Sequence, residues 1–187
     1  MSHVHIPVVI GTARAGRQSE LVAQAINGII NTREDASAEV VDVREHVIEA
    51  VTVPPWGVGG ANEVPTAWSE IVGRSQALIL VIPEYNHGYP GELKLLLDSL
   101  WEQYKGRPVG LVGVSGGGLG GARVIDHIKP VLLELQLQPI KTAVYFSHVK
   151  DAFNEDTTLK DASLVELVHQ QVTDLVATAD RLAPLRG

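Results

Sequence analysis

Apolar residues in this chain recur at two spacings, and the switches between them mark out the elements. Val4 to Ile10 is a short, β-branched run that stops at Gly11 and is read as a buried strand. From Ser19 the period becomes helical, with Val22, Ala25, Ile26 and Ile29 three and four residues apart. "AEVVDV" (Ala38 to Val43) is a second strand, and "ALILVIP" (Ala77 to Pro83) a third. The third is apolar throughout, as a central parallel strand covered on both faces must be. "RPVGLVGVS" (Arg107 to Ser115) and "PIKTAVYF" (Pro139 to Phe146) supply a fourth and a fifth. Helices are expected at Thr66 to Arg74, along the stripe Leu93, Leu96, Leu97, Leu100 and Trp101, from about Gly121 to Leu137, and from about Thr158 to Leu182. The stretch Val51 to Pro65 is rich in Pro and Gly, has no period, and reads as a surface loop.

Five strands alternating with five helices imply an α/β fold, a parallel sheet covered on both faces within a single domain over residues 1–187. In such folds ligands bind beyond the carboxyl ends of the strands, near the point where strand order reverses. Unusual loops follow strands one, three and four, so they are expected to converge on one site.

Composition narrows the chemistry. With 45% hydrophobic and 20% charged residues the chain is in the globular range. It has no cysteine, which removes disulfides, thiolate nucleophiles and thiolate metal sites together. Redox chemistry would need a bound cofactor to carry the electrons. The net charge of -7 argues against nucleic acid or an anionic membrane as partner. No apolar run is long enough to span a bilayer, and "MSHVHIPVVIG" lacks the features of a secretory signal, so a cytoplasmic location is expected.

The first loop, "GTARAGRQS", has Walker-type glycine spacing from Gly11 to Gly16, but Arg17 and Gln18 stand where Lys and Ser or Thr are required. Amides at the following helix N-terminus, the hydroxyls of Thr12 and Ser19, and Arg14 and Arg17 fit a terminal phosphate. A plain strand-to-helix turn with exposed arginines is the alternative. The second loop, "PEYNHGYPGELK", places Glu84, Tyr85, Asn86, His87 and Tyr89 between Pro83 and Pro90. Aromatic and amide groups in so short a connection suit a flat heteroaromatic ligand. The third, "SGGGLGGAR", has five glycines between Gly116 and Gly121, which let the backbone lie along a planar edge. It is a poor dinucleotide fingerprint, since no acidic ribose-binding residue follows at the right distance.

"GTARAGR", "PEYNHGYPGELKLLLDSL" and "SGGGLGGAR" together resemble the signature segments of the NADPH-dependent FMN reductase family. That resemblance implies a flavodoxin-like three-layer sandwich with strand order 2-1-3-4-5. It implies FMN as cofactor and NADPH or NADH as co-substrate. The phosphate roles fall on Gly11, Thr12, Arg14, Arg17, Gln18 and Ser19. The ring-lining roles fall on Pro83, Glu84, Tyr85, Asn86 and His87, and the edge roles on Ser115, Gly116 and Gly117. Glu20, a like charge near the phosphate, is expected to point away. Electrons would pass from the nicotinamide to FMN and on to a quinone, azo compound, metal oxyanion or flavin. No catalytic acid or base and no metal is expected; His127, His148 and His169 have no metal-ligand spacing. The resemblance also implies a homodimer or homotetramer, with Trp101 and Tyr104 as candidate interface anchors. Two other readings stay open: a flavodoxin-like electron carrier that does not itself oxidise NAD(P)H, and a phosphate-binding hydrolase using the first loop alone.

Overall fold

The structure is a computed structural model, and it describes residues 3–46 and 66–186. The loop expected at Val51 to Pro65 lies outside them. The principal elements are β1 (Val4–Ile10), α1 (Ser19–Ile30), β2 (Ala36–Asp42), α2 (Thr66–Arg74), β3 (Leu78–Pro83), α3 (Gly91–Asp98) and β4 (Pro108–Val114). They continue as α4 (Ala122–Glu134), β5 (Gln138–Pro139), β6 (Val144–Phe146) and α5 (Ala162–Leu182).

All strands run parallel, in the order β2-β1-β3-β4, and β4 carries both β5 and β6 on its far side. The α/β class and the order 2-1-3-4-5 hold. The fifth strand, however, is two short pieces rather than one: Gln138 and Pro139 pair with the start of β4, Val144 to Phe146 with its end. Gln171, fully buried on α5, explains the gap. Its side-chain amide donates to the carbonyls of Leu111 on β4 and Thr142 in the interruption, at 3.0 and 2.9 Å. One side chain thus replaces the ladder where the backbone swings away. The last helix also starts later than its period suggests. Asp161 caps it, accepting from the Ser163 amide at 2.8 Å, so Thr158 lies in the preceding turn.

Strand alternation divides the interior into two layers. Ile79 and Val81 of β3 join Val4, Ile6 and Val8 beneath α1 and α5. Leu78, Leu80 and Ile82 face the other way, towards Trp68, Leu93, Leu97 and Val124 from α2, α3 and α4. Each such side chain is completely buried and contributes about 1.5–3 kcal/mol of transfer free energy. Tyr104 belongs to this second layer. It is fully buried and its hydroxyl accepts the Trp68 indole N–H at 3.0 Å, so it is a core residue and not an interface anchor. Trp101 is half-buried against the same layer.

Candidate functional site

Strand order reverses at β1, whose neighbours are β2 and β3, and the loops after β1, β3 and β4 meet at the carboxyl ends of the strands as expected. Backbone bonds tie each loop's origin to the neighbouring strand. The Gly11 amide donates to Val81, that of Glu84 to Val114, and that of Ser115 to Phe146, at 2.9, 3.0 and 3.0 Å. Gly11 is needed for this approach, because a Cβ there would lie 3.0 Å from the Val81 carbonyl and 3.1 Å from Leu93.

Loop one is held from below by two arginines. Arg17 is buried, and its guanidinium donates to the Thr12 carbonyl at 2.5 Å and to both carboxylate oxygens of Asp42, at the end of β2. Its Nε lies 3.4 Å from the Glu20 carboxylate, which is thereby turned towards the arginine. Arg44 donates to the carbonyls of Ala13 and Arg14 at 3.0 and 2.8 Å. Burial pushes the Asp42 carboxyl up, but hydrogen bonds from Arg17 and the Arg44 amide outweigh this and leave it below the usual range. From above, the Thr12 hydroxyl lies 3.1 Å from the Tyr85 hydroxyl and donates to Glu92 at 3.1 Å, while the Ala13 amide donates to the same carboxylate at 2.7 Å. Thr12 and Arg17, both expected on the phosphate, are therefore engaged in bracing the loop.

What the brace leaves open is a set of donors. The cap residue of α1, Gln18, makes no side-chain capping bond. The amides of Ser19, Glu20 and Leu21 have no acceptor within the helix. Ser19 is 1% exposed, and its hydroxyl has no hydrogen-bond partner among the described residues. Arg14 is exposed, with its guanidinium 5.1 Å from the centre of the Tyr85 ring and no carboxylate partner among the described residues. These groups suit a phosphate, which needs multiple N–H and O–H donors under the positive end of a helix.

Loop two is a tight hairpin. Tyr85 and Gly88 exchange both backbone hydrogen bonds at 3.0 Å around Asn86 and His87, which have φ of 51° and 69°. Two successive positive φ angles are the geometry of a type I′ turn. Both side chains are exposed at the mouth, and Tyr85 and Tyr89 are half-buried beside them. Glu84 goes elsewhere. Its carboxylate accepts from Arg123 at 2.9 Å at the start of α4, so it joins loop two to loop three instead of reaching the mouth.

Loop three is anchored by its carbonyls. Those of Ser115 and Gly117 accept from the amides of Val149 and His148 at 3.1 Å each, and that of Gly118 accepts the Ser147 hydroxyl at 2.9 Å. A trans peptide points its N–H opposite to its C=O, so the amides of Gly116, Gly118 and Leu119 face away from the Ser147–Val149 segment that holds the loop's carbonyls. None of the three has a hydrogen-bond partner among the described residues. The loop then crosses back over β4, where Gly113 is obligatory: a Cβ there would come within 2.3 Å of the Gly120 carbonyl. Gly116 has open space around it, as a position lining a ligand requires. Glu92, Asp42, Arg44, Ser147 and His148 are parts of the site that the sequence did not reveal. Asp42, Arg44, Ser147 and His148 enter from outside the three quoted segments, and nothing in their local pattern marks them; Glu92 lies inside the second segment, where spacing alone does not aim it at loop one.

A parallel α/β sheet of this order, with the donor-rich loop after β1 joined to the loops after β3 and β4, defines a fold of the flavodoxin-like class. The chain belongs to the NADPH-dependent FMN reductase family, whose model matches residues 4–151. It is 28% identical over 181 residues to an NAD(P)H-dependent FMN reductase of Pseudomonas aeruginosa, covering 93% of this chain and 94% of that one. It is 27% identical over 157 residues to an FMN-dependent NADPH-azoreductase of Staphylococcus aureus, covering 80% of each. In structure it is similar to the flavoenzyme NAD(P)H:(acceptor) oxidoreductase FerB of Paracoccus denitrificans. That TM-score is 0.77 at 19% identity, covering 95% of this chain and 98% of the other, and it bears on the fold alone.

Proposed function

We propose that the chain is an FMN-dependent NAD(P)H oxidoreductase that passes electrons from a reduced nicotinamide to a small-molecule acceptor of the quinone, azo, metal-oxyanion or flavin class. The observation that supports it best is the combination of a helix N-terminus without a side-chain cap, bearing a Ser19 hydroxyl with no partner among the described residues, and the amides of Gly116, Gly118 and Leu119, which have none there either.

The phosphate of FMN would be held by Ser19, the amides that open α1, Gln18 and Arg14. Its ring would lie between the Tyr85–Gly88 turn and loop three. When bound, FMN supplies the hydride and electron chemistry. The chain's own contribution is electrostatic and geometric. Amides fixed by the Ser147–Val149 segment present partial positive charge to the slot without having to reorganise. Tyr85, clamped to Thr12, walls one side, and the exposed His87 shapes access for the co-substrate. No side chain is assigned as acid or base.

A cytoplasmic location and an assembly of two or four copies complete the reading. No helix among the described residues is long and apolar enough to cross a membrane, and the assembly rests on the family resemblance. Sedimentation at micromolar concentration should give a dimer or tetramer mass. The deciding test is a visible spectrum of the purified protein, repeated after anaerobic addition of NADPH. Flavin bands that bleach establish the reductase. Bands that persist would make the chain an electron carrier, and failure to bind FMN at all would overturn the site.

A further inference from the structure

The charges around loop one do not favour an anion as strongly as its sequence suggests. Three arginines contact the loop or belong to it: Arg14, Arg17 and Arg44. Three carboxylates accompany them: Glu20, Asp42 and Glu92. Arg17 is paired with Asp42 and Glu20, and Arg44 is directed at carbonyls. Arg14 is thus the cation left for a ligand, and Glu92 is the carboxylate at this loop with no cation partner among the described residues. Glu92 also occupies donors of the type a phosphate would use, the Ala13 amide at 2.7 Å and the Thr12 hydroxyl at 3.1 Å. Burial raises its carboxyl, but those donors outweigh it and keep the group below the ordinary range, hence charged near neutrality.

We infer that Glu92 is a specificity-determining residue that weakens the hold of loop one on the flavin 5′-phosphate. A fixed negative charge beside the cradle, competing for its first donors, lowers the preference for FMN over riboflavin and keeps the bound flavin exchangeable. The inference rests on the proposed placement of the phosphate at the α1 N-terminus. A brace alone would act in the opposite direction: if the carboxylate only held loop one in shape, its removal would loosen the cradle and weaken FMN binding.

The test is titration of the flavin-free protein with FMN and with riboflavin, followed by quenching of flavin fluorescence. Glu92→Gln keeps an acceptor for the Ala13 amide and removes the charge, whereas Glu92→Asp keeps the charge. The ratio of FMN to riboflavin affinity should rise about tenfold in Glu92→Gln, the size of one like-charge contact at a partly exposed site. It should stay near the wild-type value in Glu92→Asp. The rise should come mainly from slower FMN dissociation. Circular dichroism and thermal melting of each variant identify any that fail to fold; where Glu92→Gln is one of them, Glu92→Ala carries the test, with the same direction of change expected and an unchanged or lowered ratio overturning the inference. An unchanged or lowered ratio in a folded Glu92→Gln protein overturns the inference while leaving the flavin site intact. Absence of flavin binding by the wild-type protein overturns both.

Discussion

Asn86 and His87 show what a single backbone conformation demands of the sequence. Both lie in the left-handed region, where Asn is tolerated and a branched side chain costs about 1–2 kcal/mol. His87→Val should therefore lower the unfolding free energy by about that amount in urea titrations, whereas His87→Gly should leave it unchanged or higher. A stability loss in the glycine variant would mean that the imidazole itself contributes packing. Arg14 makes a different kind of residue-scale claim. Its guanidinium has no carboxylate partner among the described residues and lies over the Tyr85 ring, so its contribution should appear only when a phosphate is present. Arg14→Ala should weaken FMN binding at least about tenfold, the loss of one charge-assisted hydrogen bond, with riboflavin affinity little changed. Equal losses for both flavins would place Arg14 on the ring instead.

Among elements, the informative contacts are those that cross from one loop to another. β2 is an edge strand that reaches the site only through its last residue, Asp42, which holds Arg17 beneath loop one. The Arg17 side chain is 2% exposed, and removing the Asp42 charge would leave this buried guanidinium with only the more distant, exposed Glu20 carboxylate as a described partner. Asp42→Asn should cost about 3 kcal/mol of unfolding free energy and loosen loop one with it. On the other side of the slot, Gly113 and Gly120 are packed with no room for a methyl group. Gly113→Ala should destabilise by about 1–3 kcal/mol and displace the loop-three amides, weakening FMN and riboflavin alike. Retained flavin affinity in that variant would show that those amides do not face the ligand.

For the whole molecule, charge sets the response to acid. Arg33 lowers the Asp35 carboxyl through a two-pronged pair, opposed by burial, and Asp42 and Glu92 are lowered as well. A carboxyl depressed in the folded state contributes stability that is present above its unfolded value, about 3.9 for Asp and 4.3 for Glu. That contribution is lost as pH falls through the folded value. Unfolding free energy should thus be insensitive to these groups between about pH 6 and 8 and fall steeply below about pH 4. Asp42→Asn should flatten part of that acid slope. A slope identical to that of the wild type would mean that the Arg17–Asp42 pair is not formed in solution.

Much of this architecture is determined locally. The apolar run of β3, the helical stripe of α3 and the glycines of loop three follow from side-chain periodicity and backbone freedom, so the sequence by itself settles the class of fold, the order of its elements and which three loops meet at the carboxyl ends of the strands. Local pattern could not show that the fifth strand is interrupted, because the cause is a glutamine on α5, or that Tyr104 is buried, because its partner Trp68 lies on α2. Nor could it show how loop one shares out its charges. Arg14 and Arg17 look equivalent in the sequence, yet Asp42, at the end of a strand whose own signal is hydrophobic, holds one of them in an ion pair beneath loop one. Glu92 reaches the cradle from the first turn of α3. Periodicity decides which face of an element is buried, but the tertiary structure decides which charges meet, because ion pairs depend on distances between segments that are remote in the chain.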